Sequence, residues 1–205
     1  MTFVAILPRK LFSYLLEAKT DMNSKPSRYS RDEFLARSLD VLSQDGESKL
    51  RIDRLVDQLG VTKGSFYWHF ENRADFVRSV ADYWARSSTQ AVIDDLETMA
   101  GSPEDRLFSL MKRIGRQDLA GHDLAMRAWA SHEPEVAPFV KKVDRLRLTF
   151  VRSLFKEMRF EGDELETRTR IFVTAISLER GILVREAKPK RLESLRQWHA
   201  FFVRP

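Results

Sequence analysis

The 205-residue chain predicts an all-α protein. Beyond residue 30 apolar side chains recur at steps of three and four, the period of an amphipathic helix. No segment sustains the two-residue alternation and β-branched enrichment of a strand. Eight glycines and seven prolines fall mostly between the periodic segments, where helices stop.

The first helix opens at Ser30, whose hydroxyl can accept from free backbone amides while Glu33 reaches back, a capping box. Phe34, Leu35, Leu39 and Leu42 make its inner face, and Gly46 ends it. A short second helix covers about 52–59 with Ile52, Leu55, Val56 and Leu59 inward. Gly60 follows at a turn where positive φ is cheap only for glycine. Thr62 caps a third helix of barely two turns, to Phe70. A long helix spans about 73–99 and is broken by Gly101-Ser-Pro103. Further helices are expected over about 103–116, 123–132, 134–158 and 163–186, with a last one over 190–203. Leu165, Phe172, Ile176, Glu179 and Leu183 share a face of the penultimate helix, and Leu192, Leu195, Trp198 and Phe202 share one of the last. Residues 1–24 stand apart: either an extension with Leu7, Leu11, Leu15 and Leu16 on one side of a helix, or a mis-assigned start with translation beginning at Met22. They lack the pattern of a signal peptide.

Composition narrows the function classes. No apolar run approaches the roughly 18 residues of a membrane span, and the absence of cysteine excludes disulfides and thiolate chemistry. A soluble, cytoplasmic protein without cofactor is expected. His69, His122, His132 and His199 lie far apart, so no metal site is expected. Net charge is +5, which mildly favours an anionic partner. Between residues 51 and 70 the surplus is only one, with Arg51, Arg54 and Lys63 against Asp53 and Asp57. Charge alone does not identify a nucleic-acid binder.

The stretch Gly60 to Arg73, GVTKGSFYWHFENR, is more informative. Five consecutive ring residues, Phe66 to Phe70, point all round a helix, so some must meet something other than the core. Helix, glycine turn and short helix is the arrangement that sets one helix across another and leaves the second free to enter a DNA major groove.

RIDRLVDQLGVTKGSFYWHFENRADFV, together with its flanks over about 31–80, closely resembles the helix-turn-helix of the TetR (tetracycline repressor) family of bacterial transcriptional regulators. In that family a turn glycine is followed by a capping hydroxyl, a polar or basic residue, a small pair, an apolar residue, then Tyr, a variable residue, His or Tyr, and Phe. Gly60, Thr62, Lys63, Gly64 with Ser65, Phe66, Tyr67, Trp68, His69 and Phe70 occupy those places. The resemblance implies that Phe66 and Phe70 face the core while Tyr67, Trp68 and His69 face groove and phosphates. Amides at the third helix start favour a phosphate beside Thr62. Lys63 can donate to guanine O6 and N7. Gly64 and Ser65 keep the surface low for close approach, and Tyr67 offers a phenol to phosphate. Arg73 stands where the family usually has a phosphate-binding lysine. Two departures are Arg51, where a capping Ser or Thr is common and which loses a cap but adds a candidate phosphate contact, and Asp53, which repels the DNA backbone unless it accepts from a cytosine amino group.

The resemblance implies a DNA-binding domain over 25–80 and a ligand-binding and dimerisation domain over 81–205. One short reading helix makes few contacts, so a homodimer gripping a palindromic double-stranded operator is expected, paired through the last two helices. Trp84, Phe108, Met111, Met126, Trp129, Phe139, Phe150 and Phe155 are candidate walls for an apolar or amphipathic effector, or ordinary core. His122, Arg127 and His132 are candidate polar anchors. The expected function is a ligand-responsive transcriptional regulator, usually a repressor. The alternatives are a small helical enzyme, which no nucleophile-base pair or metal set supports, and a protein-interaction module on the same fold.

Overall fold

The computed structural model describes residues 29–117, 119–182 and 188–204; among them the chain is helical, with no strand. The expected features of residues 1–24, Leu183 and the helix end at Glu186 lie outside the described residues.

Helix α1, Arg31–Asp45, carries both halves of its capping box: Ser30 Oγ accepts from the Glu33 amide, and the Ser30 amide donates to the Glu33 carboxylate at 2.8 Å. Its inner face buries Phe34, Leu35, Leu39 and Leu42. The chain leaves through Gly46 at φ 81°, and a 3₁₀ turn, Glu47–Leu50, drops Leu50 into the core. Helix α2, Ile52–Leu59, buries Leu55 and Val56 and ends at Gly60 in the left-handed region, φ 64°. Helix α3, Lys63–His69, follows directly. Helix α4, Arg73–Ala85, is capped by Asn72, whose side chain accepts from the Asp75 amide at 2.9 Å.

The single helix expected over 73–99 is interrupted. A π turn, Arg86–Gln90, separates α4 from α5, Ala91–Glu97. The wider turn carries Ser88 and Thr89 to buried positions, where polar residues on a helix surface are otherwise solvated. Helix α6, Pro103–Gln117, starts behind a reciprocal pair, Ser102 with Asp105. Helix α7, Leu119–Ala130, begins four residues earlier than expected, so Asp123 lies inside it and is buried. Helix α8, Ala137–Glu157, begins later than expected, because residues 131–136 form turns. Helix α9, Gly162–Leu178, gives way to a 3₁₀ turn, Glu179–Gly181, well short of the expected end. Helix α10, Lys188–Val203, closes the described chain.

Two apolar cores result. The first joins α1 to α4 around Phe34, Phe66, Phe70, Phe76 and Trp84, and takes in Met126 and Trp129 of α7 and Val143 of α8. Packing therefore runs through position 80 without a gap. The second is built on α5 to α10 around Leu107, Phe155 and Phe172. The face expected on the last helix divides: Phe202 is buried and Leu195 packs against the second core, whereas Leu192 and Trp198 are exposed.

Candidate functional site

The ring row of α3 splits by helical angle. Phe66 and Phe70 are buried and pack on each other at 5.2 Å between ring centres, with Phe34 and Phe76 edge-on to both. Tyr67 and Trp68 point outward, 55% and 74% exposed. The aromatic cluster under α3 is thus filled by four phenylalanines, and two large rings are left in solvent above it. Burying an aromatic side chain is worth about 1.5–3 kcal/mol, so a fold leaving two such rings exposed side by side retains surface available to a partner.

His69 departs from its expected outward placement. Its ring is half-buried beside Phe34 and Phe70, and Nε2 donates to the Tyr29 carbonyl at 2.9 Å. The imidazole therefore ties the segment before α1 to the end of α3. Arg31, which the sequence did not single out, completes this tie: Nε donates to the His69 carbonyl, Nη2 donates to Ser79 Oγ, and the guanidinium lies 5.2 Å above the Phe70 ring.

The polar edge of α3 is exposed and ordered by local bonds. Thr62 Oγ1 accepts from the Ser65 amide at 3.1 Å, and the two hydroxyls lie 3.2 Å apart. Gly64 is exposed, and a Cβ there would meet only Thr62 Oγ1, at 3.5 Å. The fold itself does not demand glycine at 64; a close partner would. Lys63 is not a free cation. Its ammonium donates to Asp53 Oδ1 at 2.6 Å, which holds the Asp53 carboxyl below the usual carboxylate range and raises the lysine. Both groups are solvent-exposed, so the pair is a weak, exchangeable one. Arg51 is exposed at the start of α2 and caps nothing with its side chain. Arg73 is exposed at the start of α4 but paired with Glu133 at 2.5 Å, in the turn between α7 and α8. Arg78, one turn further along α4, lies 3.6 Å from Glu135 of the same turn.

A short capped helix set across another by a left-handed glycine turn, with its phenol, indole and lysine outward, defines a helix-turn-helix protein. Residues 34–80 match the family described as bacterial regulatory proteins, tetR family. The chain is 35% identical over 81 residues to the transcriptional regulator AcuR of Cereibacter sphaeroides, covering 38% of this chain and 36% of that one. It is 31% identical over 85 residues to the HTH-type transcriptional regulator AcrR of Shigella flexneri, covering 42% and 38%. These matches span little more than a third of each relative's length. The fold is similar to that of a TetR transcription regulator from Haloarcula marismortui, with a TM-score of 0.64 at 21% identity over 84% of this chain and 96% of that one. Residues 34–80 are thus similar to the helix-turn-helix of the tetR family of bacterial regulatory proteins.

A second feature lies in the helical body. A partly open cavity of about 40 Å³ lies between α5 to α9 and the π turn. Its wall includes Ile93, Leu110, Phe150, Phe172 and Ile176, and its polar end is made by Thr89, Asp123, Arg147 and Ser177. Of the side chains expected to line a ligand site, Phe150 does so. Trp84, Met126 and Trp129 belong to the first core, and Met111 and Phe155 to the second, outside this lining. Phe139 packs at the edge of the first core. Phe108 stacks with His199 at 5.1 Å on the other side of α6. Six of these eight side chains are buried, Phe108 and Phe139 only partly so, and several of the apolar faces meet other helices tightly and leave no space. The expected polar anchors also lie elsewhere. His122 donates to Asp40 of α1 at 3.2 Å, Arg127 binds Asp144, and His132 turns back to the end of its own helix.

The polar end of the cavity was missed, although it left a signal in the sequence. Asp123 shares a helix face with Leu119, Ala120 and Met126, and Arg147 shares one with Val143, Phe150 and Val151. A charged residue at a core position is costly unless paired, and these two pair with each other.

Proposed function

We propose that two copies of this chain bind a palindromic duplex DNA site as a ligand-responsive transcriptional regulator, acting in the cytoplasm as a repressor through occupancy of the site. The observation that carries this reading is the division of the α3 rings: two phenylalanines fill the core, while Tyr67 and Trp68 stand exposed beside Lys63, Ser65 and Gly64. Lysine donors read guanine edges, hydroxyl and phenol donors grip phosphate, and a side-chain-free position allows the backbone close to the groove. In this reading His69 holds the reading head in shape, and Arg51 and Arg73 reach phosphates on either side of it. The similarity of residues 34–80 to the tetR family supports a regulator rather than an enzyme.

The homodimer is supported by the surface of the last helices. Six of the nine exposed large hydrophobic side chains among the described residues lie beyond residue 170: Ile171, Leu178, Ile182, Leu192, Trp198 and Phe201. Clustered exposed apolar groups mark an association surface. Among the described residues no helix is long and apolar enough to cross a membrane, so a protein partner fits this face better than a bilayer core.

Ligand response is supported by connectivity. Arg147 donates to Thr89 Oγ1 through Nε at 3.1 Å and Nη2 at 2.9 Å. Thr89 sits in the π turn that continues α4, and α4 starts at Arg73 beside the reading head. A guest that moves Arg147 therefore acts on the helix that sets the spacing of the two heads. It shifts DNA affinity only if it binds the two spacings unequally.

The test is fluorescence anisotropy with DNA from around the chain's own gene. Binding is expected to weaken steeply with salt. Lys63→Ala with Tyr67→Ala is expected to abolish specific binding and leave the dimer intact. Unchanged binding by that variant contradicts the assignment of α3 as the reading element.

A further inference from the structure

Asp123 is 1% exposed, yet only one of its two carboxylate oxygens is used. Oδ2 accepts from Arg147 Nη1 and lies 3.8 Å from Arg127 Nη2; Oδ1 has no hydrogen-bond partner. Arg147 is meanwhile largely engaged: four of its five N–H groups donate, two to Thr89 Oγ1, one to Asp123 and one to Ser177 Oγ. The residue carrying the orphan acceptor lines the cavity, whose remaining wall is mainly aliphatic and aromatic, with Ser88, Thr89, Arg147 and Ser177 as its other polar members. A buried acceptor without a donor is a destabilising feature in itself. The site thus presents one free carboxylate acceptor, an arginine with most of its donors committed, and walls that are mainly apolar.

Charge decides which guest fits. Asp123 and Asp144 balance Arg127 and Arg147, joined by the Asp123 to Arg147 bond and the Arg127 to Asp144 pair at 2.5 Å. The group is neutral, so a charged guest brings an uncompensated buried charge. A carboxylate would lie beside the Asp123 carboxylate and share Arg147 with it, adding a buried negative charge that no further cation balances. An ammonium satisfies Oδ1 but leaves the group with a net positive charge. A neutral hydroxyl supplies the missing donor without either cost. Size follows from the cavity of about 40 Å³, since one water needs about 10–15 Å³ on this measure; a guest of a few heavy atoms fits without rearrangement.

We propose that this cavity binds a small uncharged molecule, apolar except for one hydroxyl, which donates to Asp123 Oδ1. The inference gives a chemical class to the effector in the proposed regulatory reading and rests on that reading only for its biological role.

Four probes of similar shape test it on the full unmodified chain: 1-butanol, 1-chlorobutane, butylamine and butyrate, followed by methyl NMR of Val173 and Ile176, which line the cavity. Saturable shifts are expected with 1-butanol at about tenfold lower concentration than with 1-chlorobutane, the discrimination of one buried hydrogen bond. Butylamine is expected to bind more weakly than 1-butanol, and butyrate not at all. In Asp123→Leu with Arg147→Met, an apolar replacement of the pair, the preference for alcohol over chloride is expected to vanish. Equal binding of 1-chlorobutane, stronger binding of butylamine or butyrate, or no methyl shift with any probe overturns the proposal, whether or not the double variant folds. DNA affinity measured on the same sample separates the two ideas. No shift with DNA binding intact removes this inference alone, whereas saturable 1-butanol binding with unaltered DNA affinity leaves it standing and removes the ligand-response reading.

Discussion

At Lys63 two roles compete. The ammonium expected to meet a base edge is held by Asp53, so contact with DNA requires exchange of a carboxylate for a base or phosphate. Asp53→Asn releases the lysine and deletes a negative charge from the proposed reading surface; DNA affinity is expected to rise about tenfold or less at moderate salt, as for one charge contact. Anisotropy titrations of the two proteins check this, and a fall in affinity means that Asp53 itself reads the DNA. Acid does not release the lysine near neutrality. Because the folded-state acidity of Asp53 is shifted below the usual carboxylate range, the pair is formed at and above that range and is lost only as pH falls through the shifted value. The division of rings into inner and outer was legible from a spacing of four between Phe66 and Phe70. The placement of His69 was not, because its partner is a backbone carbonyl 40 positions away, which leaves no periodic trace.

The small elements are specified by their ends. Ser30, Gly46, Gly60 and Thr62 were readable as caps and turns because each supplies a bond or a dihedral that few residues can. Gly60 illustrates the magnitude. Its φ of 64° is left-handed while a Cβ there would touch nothing within 4 Å, so Gly60→Ala tests backbone strain without a clash. A loss of about 1 kcal/mol in denaturant unfolding is expected; no loss means that the turn relaxes out of the left-handed region. The π turn was not legible, since Arg86-Ser-Ser-Thr-Gln reads as an ordinary exposed helical turn. Burial of Thr89 depends on Arg147, 58 positions further on. Likewise the start of α7 four residues before Asp123 buries a carboxylate whose partner, Arg147, lies 24 positions further on.

Across the whole molecule, two cores share α7 and α8, so the reading head and the cavity-bearing body are packed together rather than strung apart. The all-α class was legible from periodicity because helical spacing is local. The cavity walls were not, because whether an apolar face meets another face or a void depends on how the helices cross. The pairing surface belongs to this scale. Phe201 is 70% exposed on α10, so Phe201→Glu leaves each subunit folded but places a charge in the proposed dimer seam. Sedimentation is expected to show a shift from dimer to monomer at micromolar concentration, with unchanged helical circular dichroism; a dimer that persists moves the seam elsewhere. The central claim, that a symmetric pair presents two α3 surfaces to one duplex, is tested most directly by hydroxyl-radical footprinting of the unmodified protein on DNA from around its own gene. Two protected patches on one side of the duplex, centred about 34–36 Å or a multiple apart and both lost in the Lys63→Ala, Tyr67→Ala variant, are expected; a single patch, or a footprint indifferent to those substitutions, contradicts it.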